Sequence, residues 1–235
     1  MSFSQYEQDK FIDAQVFRGE TCGVFVDIGA NDGVTFSNSA LFERERGWTG
    51  ACVEPTPETF AKLRSARACV CIEGAVAPES GMQKFTVVSG EADLLSGLSA
   101  VVDQTTRVQA LRGETKTIDV RCYTFDEIMR TAGLSKVDYL SIDTEGYELP
   151  ILRTINFTKY SPRCVSVEEN GQFWAIHRIM RSQRYRLAEK LGPDLIYVSA
   201  EQAKRMGPVG LLKLGGLPMR IAVRAAGRVR RALRI

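Results

Sequence analysis

The chain has 235 residues, 44% hydrophobic and 25% charged, the size and mix of one globular domain that can bury a core of its own. With 20 glycines and 8 prolines it is neither collagen-like nor low-complexity, and its apolar content excludes a wholly disordered chain. The net charge of +3 is unevenly placed: residues 1–203 carry 22 basic and 28 acidic side chains, whereas the nine charged residues of 204–235 are all Lys or Arg. The expected organisation is therefore an acidic catalytic-type domain, 1–203, followed by a basic tail, 204–235, that meets an anionic surface. The opening MSFSQYEQDKF lacks the apolar stretch of a signal peptide, and no apolar run reaches 18 residues, so a cytoplasmic protein is expected.

In chain order, residues 4–18 predict a helix, with Ser4 as its cap and Phe11, Ile12, Gln15 and Val16 at helical spacing. GVFVDIG (23–29) is a short apolar run of the kind that forms a buried parallel strand. SNSALFERERG (37–47) predicts a helix with Ser37 at its start and Gly47 at its stop. TGACVEP (49–55) is the next strand, PETFAKLRSAR (57–67) the next helix, and ACVCIEGAVA (68–77) a third strand. KFTVVS (84–89) and KTIDVRCY (116–123) predict an antiparallel pair, separated by a polar stretch from Gly90 to Glu114 that is long for a compact-domain loop. A short helix at 124–133, a strand at 136–143, a helix at 147–155 and a strand at 162–170 follow. A helix over Phe173–Ser182 precedes a hairpin of YRLAEKL and DLIYVS joined at Gly192-Pro193-Asp194. This alternation predicts a doubly wound α/β sheet, mostly parallel with an antiparallel last strand and a β-hairpin insertion.

The six cysteines form no CxxC and are accompanied by a single histidine, His177, so zinc-finger spacing is absent and reduced, packed thiols are expected. His177 falls inside a helix rather than at a strand end, and is expected to be a partly buried histidine rather than a catalytic one. In an open α/β sheet ligands bind beyond the carboxyl ends of the strands, and here five predicted strands end in acids: Asp27, Glu54, Glu73, Asp143 and Glu168. The segment VFVDIGANDG reads Asp-x-Gly-x-x-x-Gly, which departs from the dinucleotide fingerprint Gly-x-Gly-x-x-Gly and lacks the Lys-Ser/Thr of a phosphate loop. Asp27 and Asp32 repel a pyrophosphate but suit a ligand carrying an ammonium and a sulfonium. Glu54, 27 residues after Asp27, stands where a carboxylate accepts hydrogen bonds from both ribose hydroxyls. Together these features point to S-adenosylmethionine; the plainer alternative is that the glycines only shape a turn.

Over nearly all of residues 3–200 the chain resembles the FkbM family of S-adenosylmethionine-dependent O-methyltransferases. The resemblance is carried by SQYEQDKFI, FVDIGANDGVTFSNSALFERERGWTGACVEP, LLSGL, VDYLSIDTEGYELPIL, VSVEEN and DLIYV. It implies a class I methyltransferase (Rossmann-like) fold with strand order 3-2-1-4-5-7-6. It also implies that Asp27, Gly29, Asn31 and Gly33 wrap the methionine part of the cofactor, that Glu54 holds the ribose, and that Gly74-Ala75-Val76 lies near the adenine. Ser37 and Asn38 match a family SN that either caps the next helix or hydrogen-bonds the ligand. Gln5 and Asp9 match the family's opening, either closing over the pocket or joining helix to sheet. Three departures stand out: Glu7 where glycine is usual, Gln183-Arg184-Tyr185 where Gly-Tyr is common, and Glu168-Glu169-Asn170 where relatives carry Glu-His-Asn.

Methyl transfer needs an aligned acceptor oxygen and help in removing its proton. Asp143, Glu145 and Glu168 are the candidate catalytic acids, and Asp143 is also a cofactor-side candidate; Glu148 is a first-turn acid that suits a helix start. Asp143 with Glu169 and Asn170 resembles the arrangement by which some small-molecule O-methyltransferases hold magnesium, and oxygen-only ligands suit Mg²⁺. A metal site, a metal-free general base and structural ion pairs all remain open for these acids. From Leu217 to Ile235, a helical increment of about 100° gathers Arg220, Arg224, Arg228 and Arg231 on one side, opposite Ile221, Ala225, Val229 and Leu233. Such a cationic amphipathic segment suits the anionic inner face of a membrane, a partner, or its own acidic body. The basic residues lack interleaved aromatics, so no nucleic acid is expected.

The resulting expectation is an O-methyltransferase acting on a hydroxyl of a sugar in a surface polysaccharide, glycolipid or glycosylated natural product. That substrate class follows from the resemblance and the tail. A tethered, non-catalytic adenosine-cofactor-binding module and a nucleotide-dependent oxidoreductase are the two alternatives.

Overall fold

The computed structural model describes residues 2–89, 97–98 and 114–206. Its centre is a seven-stranded sheet of β1 (Val24–Ile28), β2 (Thr49–Glu54), β3 (Val70–Glu73), β8 (Tyr139–Ile142), β9 (Cys164–Glu168), β10 (Tyr185–Leu191) and β11 (Asp194–Ser199). The order is β10-β11-β9-β8-β1-β2-β3; the five strands from β9 to β3 are parallel, and β11 is antiparallel to both its neighbours. Numbered from one along this sheet, that is the 3-2-1-4-5-7-6 order expected for a class I methyltransferase. Apart from the edge strand β3, the parallel strands are buried along nearly their whole length, which is why VFVDI, TGACVE and CVSVE read as apolar runs rather than alternating ones.

Helices cover both faces. One layer holds α4 (Phe125–Thr131), α5 (Glu148–Thr154), α6 (Phe157–Tyr160) and α7 (Phe173–Ser182); its core joins Ile128, Ile151, Leu152 and Ile176 to Val26, Leu140 and Val165 of the sheet. The other holds α1 (Gln8–Phe11), which continues as a π-wound turn over Ile12–Phe17, with α2 (Ala40–Arg46), α3 (Pro57–Ala66) and α8 (Ala200–Met206). There Phe17, Phe42, Trp48 and Tyr139 pack edge-on or tilted against one another at ring separations of 4.7–5.9 Å. A second sheet, β4 (Ala75–Val76), β5 (Gly81–Ser89), β6 (Gly97–Leu98) and β7 (Glu114–Tyr123), in the order β4-β7-β5-β6, forms the insertion.

Two expectations change. The run ACVCIEGAVA is not one strand: the chain leaves the large sheet at Glu73, turns at Gly74 and enters the small sheet, where Ala75 pairs with Cys122. An uninterrupted apolar run carries no mark of a change of sheet. The first helix begins at Gln8 rather than at Ser4, because Ser4 is held in an extended bridge to Phe36. The hairpin β10–β11 turns through Gly192-Pro193, and α4 starts in a capping box of Thr124 and Glu127, as the sequence indicates. The expected boundary at 203 falls inside α8, which carries Lys204 and Arg205 into the fold. The tail from 207 on, with the segment 217–235, and most of Gly90–Glu114, including Leu94 and Leu95 of LLSGL, lie outside the described residues. No helix among the described residues is long and apolar enough to cross a membrane.

Two departures from the family pattern have a physical reading. Glu7 (φ 64°) and Arg184 (φ 65°) both sit in the left-handed region that glycine adopts without a Cβ penalty. For an L residue that conformation costs about 1–2 kcal/mol. Arg184 is exposed, so Arg184→Gly is expected to stabilise the protein by about 1 kcal/mol, read as a raised midpoint in urea unfolding.

Candidate active site

At the carboxyl ends of β1, β2, β8 and β9 the structure opens a cleft of about 600 Å³. Its floor is the loop after β1. Gly29 has φ 83°, and a Cβ there would lie 1.7 Å from the carbonyl oxygen of Asp143, so this position admits only glycine. Gly33 has φ 80° and would collide with Leu63 and the Arg67 stem. Asn31 is also left-handed, at φ 51°, a conformation its side chain tolerates better than most. The loop is fixed by backbone bonds from Gly29 and Ala30 to the carbonyl of Val53.

The wall toward β2 is Glu54. Its two oxygens accept the backbone N–H of Thr56 (2.9 Å) and of Asn31 (3.1 Å), and burial pushes its carboxyl above the ordinary range. Asp27 is deeper. Burial raises it as well, and it accepts the Ser39 hydroxyl at 2.5 Å. Behind both lies Arg67, which the sequence did not single out. Its buried guanidinium donates to Glu43 (2.7 Å), the Gly33 carbonyl (3.2 Å), Ser37 (3.3 Å) and Ser39 (3.1 Å), and stacks over Phe25. Ser37 accepts from the N–H of Ser39 and Ala40, so it supports the start of α2. Asn38 donates to Ser141 at 3.3 Å, while its buried Oδ1 has no partner within the protein. Ala75, Val76, Phe85 and Val87 close the far side.

The opposite half is acidic. One carboxylate oxygen from each of Asp143, Glu145 and Glu168 lies within 4.8 Å of the others. Burial, then Glu168, Glu145, Asp194 and Glu148, drive Asp143 well above the usual carboxylate range. Glu148 is structural: one oxygen accepts the N–H of Thr144 and Gly146, the Thr144 hydroxyl and the Asn170 amide, which shapes the loop on which Glu145 sits. Asp194, at the start of β11, accepts Gln8 Nε2 at 2.5 Å, and burial pushes it up to about 7.

Of the expected residues, Asp27, Gly29, Asn31, Asn38, Glu54, Ala75, Asp143, Glu145 and Glu168 line this one cleft, while Gly33 supports its floor from behind. Glu169 and Asn170 do not join Asp143 as ligands. Glu169 is turned away into an ion pair with Lys190, and Asn170 donates its amide to Glu168 at 2.5 Å, so the acids that converge are Asp143, Glu145 and Glu168. Gln5 lines the cleft, whereas Asp9 accepts from Ser2, Phe3 and Ser4 and organises the N-terminus. His177 stacks on Phe173 and meets Tyr197, away from the cleft. No disulfide forms among the six cysteines, all of which are described. Arg67, Asp194 and Gln8 were not singled out as site residues, although Gln8 lies in SQYEQDKFI and Asp194 in DLIYV: each acts through a partner distant in the chain.

The methyltransferase FkbM domain family matches residues 27–187. The chain belongs to the FkbM methyltransferase family. Among solved structures it is similar to the FkbM methyltransferase of Methylobacillus flagellatus, at 12% identity and TM-score 0.50, over 79% of this chain and 47% of that one. The chain thus spans about half the length of that protein. It is also similar to the fibrillarin pre-rRNA processing protein of Methanococcus jannaschii (11% identity, TM-score 0.43, 77% and 68% covered) and to a methyltransferase of Pyrococcus furiosus (12%, 0.39, 80% and 79%). No curated protein matches in sequence. S-adenosylmethionine is the methyl donor that membership implies, and the FkbM cleft fits it: the Glu54 carboxyl lines its wall as an acceptor, and the orphaned Asn38 Oδ1 awaits a donor.

Two outcomes are expected. Arg67→Met leaves Glu43 and Asp27 without their buried counter-charge and costs about 3–5 kcal/mol, measurable by urea unfolding. Asp194 has a folded pKa of about 7 against an ordinary 3.8, so its stabilising contribution is complete below the ordinary value and is lost as pH rises through 7. In chelated buffer, Asp194→Asn is neutral at every pH, and its Tm advantage over the wild type is larger at about pH 8 than at about pH 5.

Proposed function

We propose that this FkbM-family protein transfers a methyl group from S-adenosylmethionine to a hydroxyl of a sugar in a surface polysaccharide, glycolipid or glycosylated natural product. The observation that carries the reading is the division of one cleft into two unlike halves. The half built from Gly29, Asn31, Asn38, Glu54 and Ala75 suits a nucleoside-type cofactor, and the half built from Asp143, Glu145 and Glu168 concentrates proton acceptors. When bound, the cofactor supplies an electrophilic methyl on a sulfonium. Asn31 and the glycine loop orient its amino-acid end, and Glu54 takes the ribose hydroxyls, its lone pairs polarised by two backbone donors.

The acidic half receives the acceptor hydroxyl and takes its proton as the C–O bond forms. A carboxyl raised by burial and like charges is a better base than a free one, which favours Asp143 and its neighbours over exposed acids. The family resemblance supports the oxygen acceptor and the sugar context. The basic tail supports a position at an anionic membrane face, a reading that rests on the arginine pattern of 217–235.

The test is calorimetric titration with S-adenosylhomocysteine, together with methyl transfer from labelled S-adenosylmethionine to glycan and glycolipid acceptors. Glu54→Ala is expected to weaken binding by tenfold or more. Asp143→Asn is expected to lower turnover far more than it lowers cofactor affinity. Absence of any binding heat in the wild type would end the methyltransferase reading.

A further inference from the structure

The outer face of α7 carries a stripe that the cleft does not use. Trp174, Arg178 and Arg181 recur at i, i+4 and i+7, which gathers them within about 60° of one another around the helix, away from the buried Ile176 and Met180. Arg184 follows at the turn into β10, and all four side chains are exposed. From Gly171 to Ala188 the chain has four arginines and no acidic residue, although residues 1–203 as a whole are acidic.

These side chains have no internal task. The guanidinium groups of Arg178, Arg181 and Arg184 form no ion pair or hydrogen bond with a described residue, whereas Arg46, Arg67, Arg163 and Arg205 each hold a carboxylate. Trp174 is 74% exposed, the most exposed large apolar side chain among the described residues, and Phe173 and His177 meet its ring edge-on at 5.0 and 6.5 Å. Arg184 also bears the left-handed φ of 65°, a strain that no bond of its side chain offsets within the fold.

We propose that the face formed by Trp174, Arg178, Arg181 and Arg184 docks on an anionic lipid bilayer. Charge complementarity sets the sign of the partner. The segment 204–235 cannot cover this face, because its nine charges are all positive and like charges would meet. A bilayer interface takes an indole at headgroup level with arginines among the phosphates, and it needs no matching groove. Single-stranded nucleic acid calls for successive aromatics along a basic groove, and here one indole stands on a convex helix. Gln172, two residues before Trp174, donates to the carbonyl of Gly146, so the docked face adjoins the loop that carries Glu145. The inference adds a folded surface to the membrane position read from the tail, and rests on neither the tail nor the methyltransferase activity.

The probe is a vesicle of phosphatidylglycerol and phosphatidylcholine in equal parts, against phosphatidylcholine alone, with the full-length protein. The other tryptophan, Trp48, is buried, so a change in emission reports Trp174. The wild type is expected to sediment with the anionic vesicles only, with a blue-shifted emission that brominated lipids quench and Trp174→Phe abolishes. Arg178→Gln/Arg181→Gln is expected to weaken binding by tenfold or more, at about fivefold per charge removed. Arg184→Gly is expected to bind about fivefold more weakly while being the more stable protein, which separates docking from folding. Changing Arg220, Arg224, Arg228 and Arg231 together to Gln is expected to weaken binding and keep the blue shift. Absence of binding overturns the proposal, as do binding without a change at Trp174, equal binding by the Arg178→Gln/Arg181→Gln variant, and a blue shift given by a single-stranded oligonucleotide but not by vesicles. Docking without any S-adenosylhomocysteine heat leaves this face standing and removes the function proposed above; the reverse result fails the face alone.

Discussion

The cofactor half of the cleft depends on a guanidinium withdrawn from solvent at the end of α3, where Arg67 meets Glu43 of α2, the Gly33 carbonyl and the hydroxyls of Ser37 and Ser39. Through Ser39 its charge reaches Asp27 at the end of β1. One side chain thereby fixes the relative positions of a strand end, a glycine turn and two helices. A buried charge of this kind is costly to assemble and costlier to break, so it adds more to the uniqueness of the loop geometry than to net stability. The glycines let the turn pack directly on the Asp143 carbonyl and on Leu63 and the Arg67 stem, where a Cβ would collide. Gly29 and Gly33 supply the absence of side chains, and Arg67 supplies the rigidity.

Across the cleft the logic reverses. The Arg67 side satisfies nearly every polar atom, leaving Asn38 Oδ1 as its exception. The side formed by β8, β9 and β11 gathers five carboxyls, of which Glu148 accepts through one oxygen from donors of its own loop, while Asp143 and Asp194 are forced upward in pKa by burial and by the neighbouring acids Glu168 and Glu148. Such a concentration of like charge stores electrostatic energy in the free protein. A positive or proton-donating ligand releases that energy on binding, which ties affinity at this half to charge rather than to shape.

The sequence shows much of this frame because its signals are local. Parallel strands buried on both faces leave apolar runs, the hairpin announces itself by Gly192-Pro193, and the helix over Phe173–Ser182 is bounded as its pattern indicates. The acids at the strand ends were legible for the same reason: a carboxylate after an apolar run is conspicuous. Direction was not. Glu168, Glu169 and Asn170 are consecutive, and only the fold reveals that Glu169 faces Lys190 while Glu168 faces Asp143. The passage of 70–76 between two sheets was equally hidden, since β3 and β4 share one hydrophobic character. Arg67, Gln8 and Asp194 resemble any surface polar residue until their partners, supplied by distant segments, are in place.

Gln8 bonds to Asp194 across 186 positions of chain, and Gln202 donates to the carbonyl of Val16 across the same separation. The segment 8–17 is thus held by residues from the far side of the described fold. Its Ile12, Val16 and Phe17 share one core with Phe42 and Trp48 and with Ile196, Val198 and Ala203 of β11 and α8. Contacts of such long sequence separation are costly to close early, and the bond between Gln8 and Asp194 joins two residues that line the ligand cleft. A chain interrupted before residue 194 would possess the glycine turn and most of the acids, yet have an unsealed wall, so a working site depends on β11 as well as on the strands that carry its motifs.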